Sequence, residues 1–292
     1  MKKTVYIVLL LFFTGMLCYS AWNLLDILGS YREGEDSYHD LEQYVSFEEP
    51  AAAEKPTQAP IAEKPTQPPV AESEPAESTE TTLPEETQPE PTEPIDLSGW
   101  PQVDFEQLAQ INPDVVGWIY IKDTNINYPI VQGENNDYYL KRLFDGTYNS
   151  AGCIFLDAAC KSDFSGKHSI IYGHHMKNQT MFADLMKYKK QIFFEEHPEG
   201  MLITPTAYYR IRFFSGYVSN NWTDAWKLSF YDDSYGDWLS SIQRRSYFET
   251  TDQPGEDDRV VTLSTCTYEF DNAKYVLHGY ISEVIELPDS GQ

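Results

Sequence analysis

The chain has 292 residues and a formal charge of −25, because 46 Asp and Glu outnumber 21 Lys and Arg. This excess of carboxylates argues against a nucleic-acid-binding protein, since binding to phosphates requires clustered Lys and Arg. Aromatic residues make up 14% of the chain, too many for a wholly disordered protein, and four Cys in this length do not form a disulfide scaffold.

The first predicted element is an apolar helix. Thr4–Leu25 carries no charge over 22 residues, and a helix of that length spans about 33 Å, the thickness of a membrane's hydrocarbon layer. Two lysines precede it and Asp26 follows it, so residues 1–3 are expected in the cytoplasm and everything after residue 26 outside. The alternative is a signal peptide cleaved near Ser20, but the apolar run exceeds the usual core of about 7–15 residues. We expect an uncleaved, single-pass anchor in the cell membrane.

The next two segments are polar. Residues 26–49 are acidic with loosely spaced apolar positions, which predicts a juxtamembrane helical stretch. Residues 50–97 hold eleven of the 18 Pro, eleven acids and two Lys, and AEKPTQ occurs twice, at Ala53–Gln58 and Ala62–Gln67. Because it has almost no large apolar side chains, this segment cannot offset the entropy of ordering, so we expect a disordered, semi-extended linker. It is either a stalk that holds the next domain off the membrane or a spacer without a role of its own.

The folded part is predicted at residues 98–292, which contain nearly all the Trp, Tyr and Phe outside the anchor. Helical periodicity is present in DFEQLAQI after a possible cap at Asp104, in MFADLMKYKKQIFFEE and in SYGDWLSSIQRRSYF. Strands are predicted for WIYI, YPIVQG, GCIFLDA, HSIIYG, two in LITPTAYYRIRFFSGYVS, RVVTLSTCTY and KYVLHGYISEVIEL. Many short strands with a few helices between them indicate a mainly β fold, a β-barrel carrying helical insertions.

A thiol and a cation are predicted to face each other on the last two strands. These strands flank the loop TYEFDNA, and as an antiparallel pair they would bring Cys266 beside Lys274. A cation next to a thiol favours the nucleophilic thiolate, and it can also stabilise an oxyanion formed by attack on a carbonyl. Taken alone, a single Cys is more often a small buried hydrophobe.

A thiol nucleophile also needs a base or an imidazolium partner. Of the six His, His168 and His278 lie in predicted strands, where a hydrogen-bonded structural role is expected. His174 and His175 directly follow IIYG at a strand end, where side chains enter a cleft more often than a core. Spacing alone does not choose between these two.

Several motifs together resemble the sortases, most closely class B. TLSTC at Thr262–Cys266, IIYGHHM at Ile170–Met176 and the strings GWIYI, NYPIVQG and DYYL occur in the order typical of that family. The resemblance covers residues 100–285. It implies an eight-stranded β-barrel with extra helices, preceded here by the transmembrane helix and the linker, in a Gram-positive bacterium.

The resemblance also implies roles for single residues. Cys266 would be the nucleophile that attacks the peptide bond of a sorting signal, and His174 would protonate the leaving amine and later deprotonate the incoming one. His175 is given no catalytic role. Tyr172 and Ser264 flank the two motifs and would line the substrate groove, although ordinary strand packing explains them equally well.

The third catalytic position departs from the family pattern. Sortases have an Arg at the start of the last strand, in strings such as DNARYV, whereas this chain has DNAKYV, with Lys274 in that place. Lys keeps the charge but lacks the planar fork that can bind a carbonyl or an oxyanion with two hydrogen bonds. Arg259, seven residues before Cys266, is a conceivable substitute, although surface solvation suits it better.

The sequence thus predicts a membrane-anchored cysteine transpeptidase with an extracellular catalytic domain. Its expected partners are surface proteins that carry sorting signals, a peptidoglycan peptide amine and the membrane. A pilin-polymerising sortase, a weakly active domain that binds sorting signals and a stalked adhesin are the alternatives. No metal-ligand motif is present, so neither a metal nor a cofactor is predicted. Cys153 and Cys160 are expected to be unpaired.

Overall fold

The computed structural model describes residues 2–47, 97, 99–220, 224–231 and 234–287. The chain divides into two compact units, one of Met1–Phe47 with Trp100–Gln292 and one of Glu48–Gly99. The predicted linker at residues 50–97 lies outside the described residues, apart from Leu97.

In the first unit, helices stand between pairs and runs of strands. Its α-helices are α1 (Lys2–Leu41), α2 (Phe105–Ile111), α3 (Gln191–Glu196) and α4 (Ser234–Gln243). Its strands are β1 (Val45–Phe47), β2 (Pro101–Val103), β3 (Val115–Tyr120), β4 (Asn127–Val131), β5 (Ile154–Leu156), β6 (His168–Tyr172), β7 (Glu199–Ile203), β8 (Ala207–Asn220), β9 (Val260–Cys266) and β10 (Ala273–Glu286). Short 3-10 helices cover Glu42–Tyr44, Tyr138–Lys141, Phe182–Lys189 and Asp224–Trp226.

Eight of these strands close into a barrel in the order β10-β8-β7-β3-β4-β5-β6-β9. Neighbouring strands are antiparallel except for β4 with β5 and β6 with β9, which are parallel. The predicted barrel with helical insertions is therefore confirmed. Outside the barrel, β1 and β2 form a separate antiparallel pair.

The helices follow local signals in the sequence. The side chain of Asp104 accepts a hydrogen bond from the Gln107 backbone N–H at 3.0 Å, which caps α2 as predicted. The helix predicted over MFADLMKYKKQIFFEE is divided into two, because Lys190 adopts an extended conformation between them. The late helix ends at Gln243, earlier than predicted, because the Tyr247 N–H returns to the sheet and donates to the Gly216 carbonyl at 2.8 Å.

Helix α4 covers one side of the barrel through an apolar cluster. Its face contributes Tyr235, Trp238, Leu239 and Ile242, which pack on strand residues that include Phe214, Tyr217, Val260 and Val276. This packing supports the outer side of β8, β9 and β10. Two of those strands carry residues of the candidate active site.

Helix α1 has two different parts. The apolar side chains of its first half are exposed, and the helix is long and apolar enough to cross a membrane. By length and composition it is a candidate membrane anchor. Near its C-terminus, Tyr38 and Leu41 are buried against the rest of the unit.

Candidate active site

Cys266 and Lys274 face each other across the β9–β10 pair. The antiparallel register places Lys274 directly opposite Cys266, and the Lys274 ammonium Nζ lies 3.3 Å from the Cys266 Sγ. Both side chains are partly exposed. The predicted juxtaposition of thiol and cation is therefore present. It results from the register in which β9 and β10 pair.

The parallel pairing of β6 with β9 brings His174 to the same end of the barrel. Tyr172 is paired with Ser264, and the next residue, Gly173, donates its N–H to the Ser264 carbonyl at 3.1 Å. The chains that leave β6 and β9 are thus neighbours at this barrel end.

Gly173 is required by close packing. A Cβ at this position would lie 2.5 Å from the Ile154 side chain and 2.6 Å from the Phe182 ring. Its backbone is not in the left-handed region, so glycine is required here because it lacks a side chain and not because of its conformation.

The imidazole of His174 is held by a backbone carbonyl. Its Nε2 lies 2.7 Å from the Leu140 carbonyl oxygen, and because a carbonyl only accepts, Nε2 carries the proton in this contact. Nδ1 is then the nitrogen that can exchange a proton. The His174 backbone is fixed as well, since its carbonyl accepts from the Phe182 N–H at 2.9 Å.

A cleft of about 340 Å³ contains these groups. Its walls combine residues of β6, β9, β10 and the loop before β5; those relevant here are Asn136, Asp137, Leu140, Tyr172, His174, Ser264, Thr265, Cys266 and Lys274. All five residues that the sequence singled out therefore line one cleft. Asn136, Asp137 and Leu140, which lies in the 3-10 helix Tyr138–Lys141, were not predicted as site residues, because a sequence does not show which carbonyl will face an imidazole.

Tyr172 has its hydroxyl engaged at the edge of the cleft. It donates to the Asp157 carboxylate at 2.9 Å, and the Asn136 amide donates to the same oxygen at 2.9 Å. Burial, followed by the Asp157 charge, raises the pKa of Tyr172 well above its usual value. Tyr172 is thus a neutral, fixed wall of the cleft.

Two buried hydroxyls in the cleft lack partners. Among the residues that the structure describes, Ser264 Oγ and Thr265 Oγ1 are buried without a hydrogen-bond partner. A buried hydroxyl without a partner costs free energy in the native state. Ser264 was expected at the groove, whereas Thr265 was not.

The other candidates of the sequence lie elsewhere. Arg259 donates to the Phe164 carbonyl at 3.2 Å and is not part of the cleft wall. His168 and His278 are buried next to Trp238 of α4 and hydrogen-bonded, as expected for structural histidines. Cys153 and Cys160 are unpaired thiols. Within the described part of the chain, no group of His, Cys, Asp or Glu is arranged to hold a metal ion.

A thiol beside a fixed cation, with an imidazole in the same cleft, provides the groups that thiol-dependent acyl transfer requires. The barrel and this cleft define a class of cysteine enzymes that act on carbonyl compounds.

Comparison with known proteins assigns the family. Residues 119–282 match the sortase domain family. A curated sortase B of Listeria monocytogenes is 35% identical over 181 residues, which is 61% of this chain and 73% of that protein. The structure of a Staphylococcus aureus sortase B–substrate complex matches with a TM-score of 0.58 and 31% identity, covering 63% of this chain and 85% of that one. A sortase B complexed with triglycine matches with a TM-score of 0.58 and 32% identity, over 63% and 86% of the two chains.

The chain belongs to the sortase family. Its similarity to several sortase B proteins makes it a cysteine transpeptidase of class B, an enzyme that acts on surface proteins.

Proposed function

We propose that this sortase cleaves a C-terminal sorting signal through a thioester on Cys266 and transfers the surface protein to a peptide amine of the cell wall. The contact that carries the proposal is the one between Lys274 Nζ and Cys266 Sγ at 3.3 Å, in a cleft that also contains His174. A cation at this distance can stabilise the oxyanion that forms when the Cys266 sulfur attacks a carbonyl carbon.

In the first half of the reaction, the Cys266 thiolate attacks the carbonyl carbon of the scissile peptide bond. The carbonyl oxygen becomes an oxyanion, which the Lys274 ammonium stabilises. The C–N bond then breaks while His174, as imidazolium, donates its Nδ1 proton to the departing amine. The products of this half are a thioester on Cys266, a free amine and a neutral imidazole.

In the second half, the acceptor amine attacks the thioester carbonyl. His174 Nδ1 takes the proton that the amine loses, the C–S bond breaks and an amide forms. The thiolate and the imidazolium are restored, so the cycle needs no cofactor. The Leu140 carbonyl keeps the other ring nitrogen protonated throughout, which directs both proton transfers to Nδ1.

The groove and the membrane complete the proposal. Ser264 and Thr265 line the cleft beside Tyr172 and would form part of the groove for the sorting signal. Helix α1 would anchor the chain as a single-pass protein, with residues 1–3 in the cytoplasm and the barrel outside. That sortase B structures exist with a substrate and with triglycine supports sorting-signal and amine partners here.

The test uses the full chain in detergent micelles with a library of sorting-signal peptides and triglycine as the amine. Mass spectrometry should detect a thioester adduct on Cys266 and a peptide–triglycine amide. Both should be lost in Cys266→Ala, because the nucleophile is removed.

Two results would contradict this proposal. Product formation that persists in Cys266→Ala would exclude the thioester route. Binding of the peptides without any product would favour the alternative of a weakly active binding domain, which the replacement of the family's Arg by Lys274 keeps open. Product formation with the Lys side chain of a pilin subunit, offered in place of triglycine, would indicate a polymerising sortase.

A further inference from the structure

A short β-ladder joins the parts of the chain that stand before and after the Pro-rich segment. Strand β1 pairs antiparallel with β2, with Val45 opposite Val103 and Phe47 opposite Pro101. The Asp104 N–H also donates to the Tyr44 carbonyl at 2.9 Å. Since paired Cα atoms in such a ladder lie about 5 Å apart, Phe47 and Pro101, which stand on either side of residues 48–100, are neighbours in the structure.

Helix α1 itself contacts the barrel unit directly. The Tyr38 side chain is buried, donates its hydroxyl to the Gly152 carbonyl at 2.5 Å and packs edge-on against Tyr128 at a ring distance of 5.3 Å. Leu41 is buried as well, and burying one Leu side chain stabilises a contact by roughly 1.5–3 kcal/mol.

A second contact lies one turn closer to the apolar half of α1. The buried Asn149 amide donates to the Ser30 carbonyl at 2.9 Å and to the Glu33 carboxylate at 3.2 Å. A Cβ on Gly34 would lie 3.1 Å from the Ala151 Cβ, so the helix and this loop are in close contact. The helix is thus held along at least two turns.

These contacts fix the height of the barrel above the lipid. The apolar run ends at Leu25, and the first contact follows at Ser30, five residues further along the same helix. Five residues of helix rise about 8 Å. A stalk made of residues 50–97 would instead span up to about 150 Å in the extended polyproline form.

We infer that α1 is both the membrane anchor and the docking element of the barrel, so that the barrel is held close to the lipid surface by α1 and not through the Pro-rich segment. This rests on the membrane anchoring proposed above. Of the two roles that the sequence left open for residues 50–97, it favours the spacer over the stalk, and the length of that segment then does not set the reach of the enzyme.

Cross-linking in membrane vesicles tests the docking. In the full chain carrying Cys18→Ala, Cys160→Ala and Cys266→Ala, the pair Gly34→Cys and Ala151→Cys should form a disulfide on mild oxidation. The matched control is Arg32→Cys with Ala151→Cys, because Arg32 is exposed and lies about 200° around the helix from Gly34. A protease site inserted between Pro68 and Pro69 allows the chain to be cut before a non-reducing gel.

After cutting, the two fragments should remain joined in the Gly34→Cys pair and separate in the control pair. Equal, low yields in both pairs would overturn the docking and restore the stalk. The yield does not depend on transpeptidation, so an inactive enzyme leaves this result unaffected. Sedimentation of the uncut vesicles reports separately whether the chain is anchored in the membrane at all.

Excision provides a second measurement that introduces no cysteine. Replacing residues 50–97 by Gly-Ser-Asn-Gly should leave the unfolding temperature within about 2 °C, because the two ends of the segment are already adjacent. In a vesicle assay the activity of this variant should stay within about twofold of the intact chain. A loss of more than tenfold without a change in unfolding temperature would show that the segment determines reach.

A separate observation concerns His175. Its Nδ1 lies 3.2 Å from the Cys266 carbonyl oxygen, so this nitrogen carries a proton and donates it. The ring lies 5.8 Å from that of Tyr268, in the loop after Cys266. The neighbouring residue, His174, is held by the Leu140 carbonyl, so two consecutive side chains bind the two sides of the cleft.

The geometry points to His175 as a positioning residue, which fixes the backbone of Cys266 and thereby the place of its Sγ relative to His174. This deepens the proposed function. The role requires only an N–H donor at the position of Nδ1, and an Asn side chain carries its amide nitrogen at a similar distance from the backbone.

His175→Ala should therefore lower kcat about tenfold or more and leave KM within about threefold, whereas His175→Asn should retain most of kcat. Alkylation of Cys266 by iodoacetamide requires no turnover. Its rate should change in the His175→Ala variant and stay the same in the His175→Asn variant. Equal losses in both variants, or a change in KM alone, would overturn the role. A wild-type chain that alkylates normally but forms no product would count against the proposed function, not against this inference.

Discussion

At the scale of single residues, the ammonium of Lys274 distinguishes this site from the family pattern that it resembles. Lys274 is a point charge 3.3 Å from the Cys266 Sγ. An Arg in its place would offer a planar pair of donors, which can bind two oxygens at once. The comparison of these side chains therefore separates charge stabilisation from bidentate binding.

Lys274→Met is expected to lower kcat about 10²–10³-fold, because one cationic oxyanion donor is worth about 2.7–4 kcal/mol. Lys274→Arg should stay within about tenfold of the wild type if the charge is what matters. Steady-state kinetics of peptide–triglycine formation measure both. A Met variant with unchanged kcat would exclude the proposed role, and a gain above tenfold in Arg would identify a weakly active natural enzyme.

The residues of the cleft differ in how far the sequence predicted them. Cys266, His174 and Lys274 stand in recognisable motifs, and each lies in the cleft. The Leu140 carbonyl and the Thr265 hydroxyl were not predicted. A carbonyl is present at every position of the chain, so its function is visible only when an imidazole is found beside it.

At the scale of elements, a buried hydrogen-bond chain joins β6, β9, β10 and β8. His168 Nδ1 donates to the Lys227 carbonyl at 2.8 Å, so its Nε2 must accept from the Thr262 hydroxyl at 2.6 Å. Thr262 then accepts from His278 Nδ1 at 2.7 Å, and His278 Nε2 faces the Tyr217 hydroxyl at 3.3 Å. The Lys227 carbonyl thus fixes which atom donates in each hydrogen bond of this network, and both imidazoles are neutral.

This network makes the stability of the barrel sensitive to acid. Burial lowers the pKa of His168 to about 4, and burial followed by the charge of His168 lowers the pKa of His278 well below its usual value. In the unfolded chain both titrate near 6.5. Below about pH 6.5 the unfolded chain binds protons that the native barrel excludes. The contribution of these two histidines to the free energy of unfolding is therefore fully present above that pH and is lost as the pH falls towards 4.

Urea unfolding at pH 7 and pH 5 should show this loss, and His168→Gln should reduce it by about 2 kcal/mol. Gln keeps a donor and an acceptor but does not titrate. The carboxylates contribute equally to the pH dependence of both proteins. The difference between the two losses of unfolding free energy therefore reports His168 alone. An identical loss in the variant would mean that His168 is protonated in the native barrel.

The elements also show the limit of pattern reading. The strands around the motifs and α2 with its Asp104 cap were predicted from periodicity and capping residues. The division of one predicted helix at Lys190 and the early end of α4 were not, because tertiary contacts decided them. The three-residue strands β1 and β2 carry too little sequence to be recognised, although their pairing brings Phe47 next to Pro101.

At the scale of the whole molecule, the sequence by itself determined the family, the apolar anchor candidate, the acidic Pro-rich segment and the three motif residues of the cleft. These properties are local: they depend on composition, on periodicity or on a few adjacent residues. Tertiary structure decided which carbonyl orients His174, how the pairing of β6 with β9 brings His174 to the end of β9 that carries Cys266, and where α1 meets the barrel. Each of these joins residues far apart in the chain, and only the closed barrel, through its strand register, brings them together.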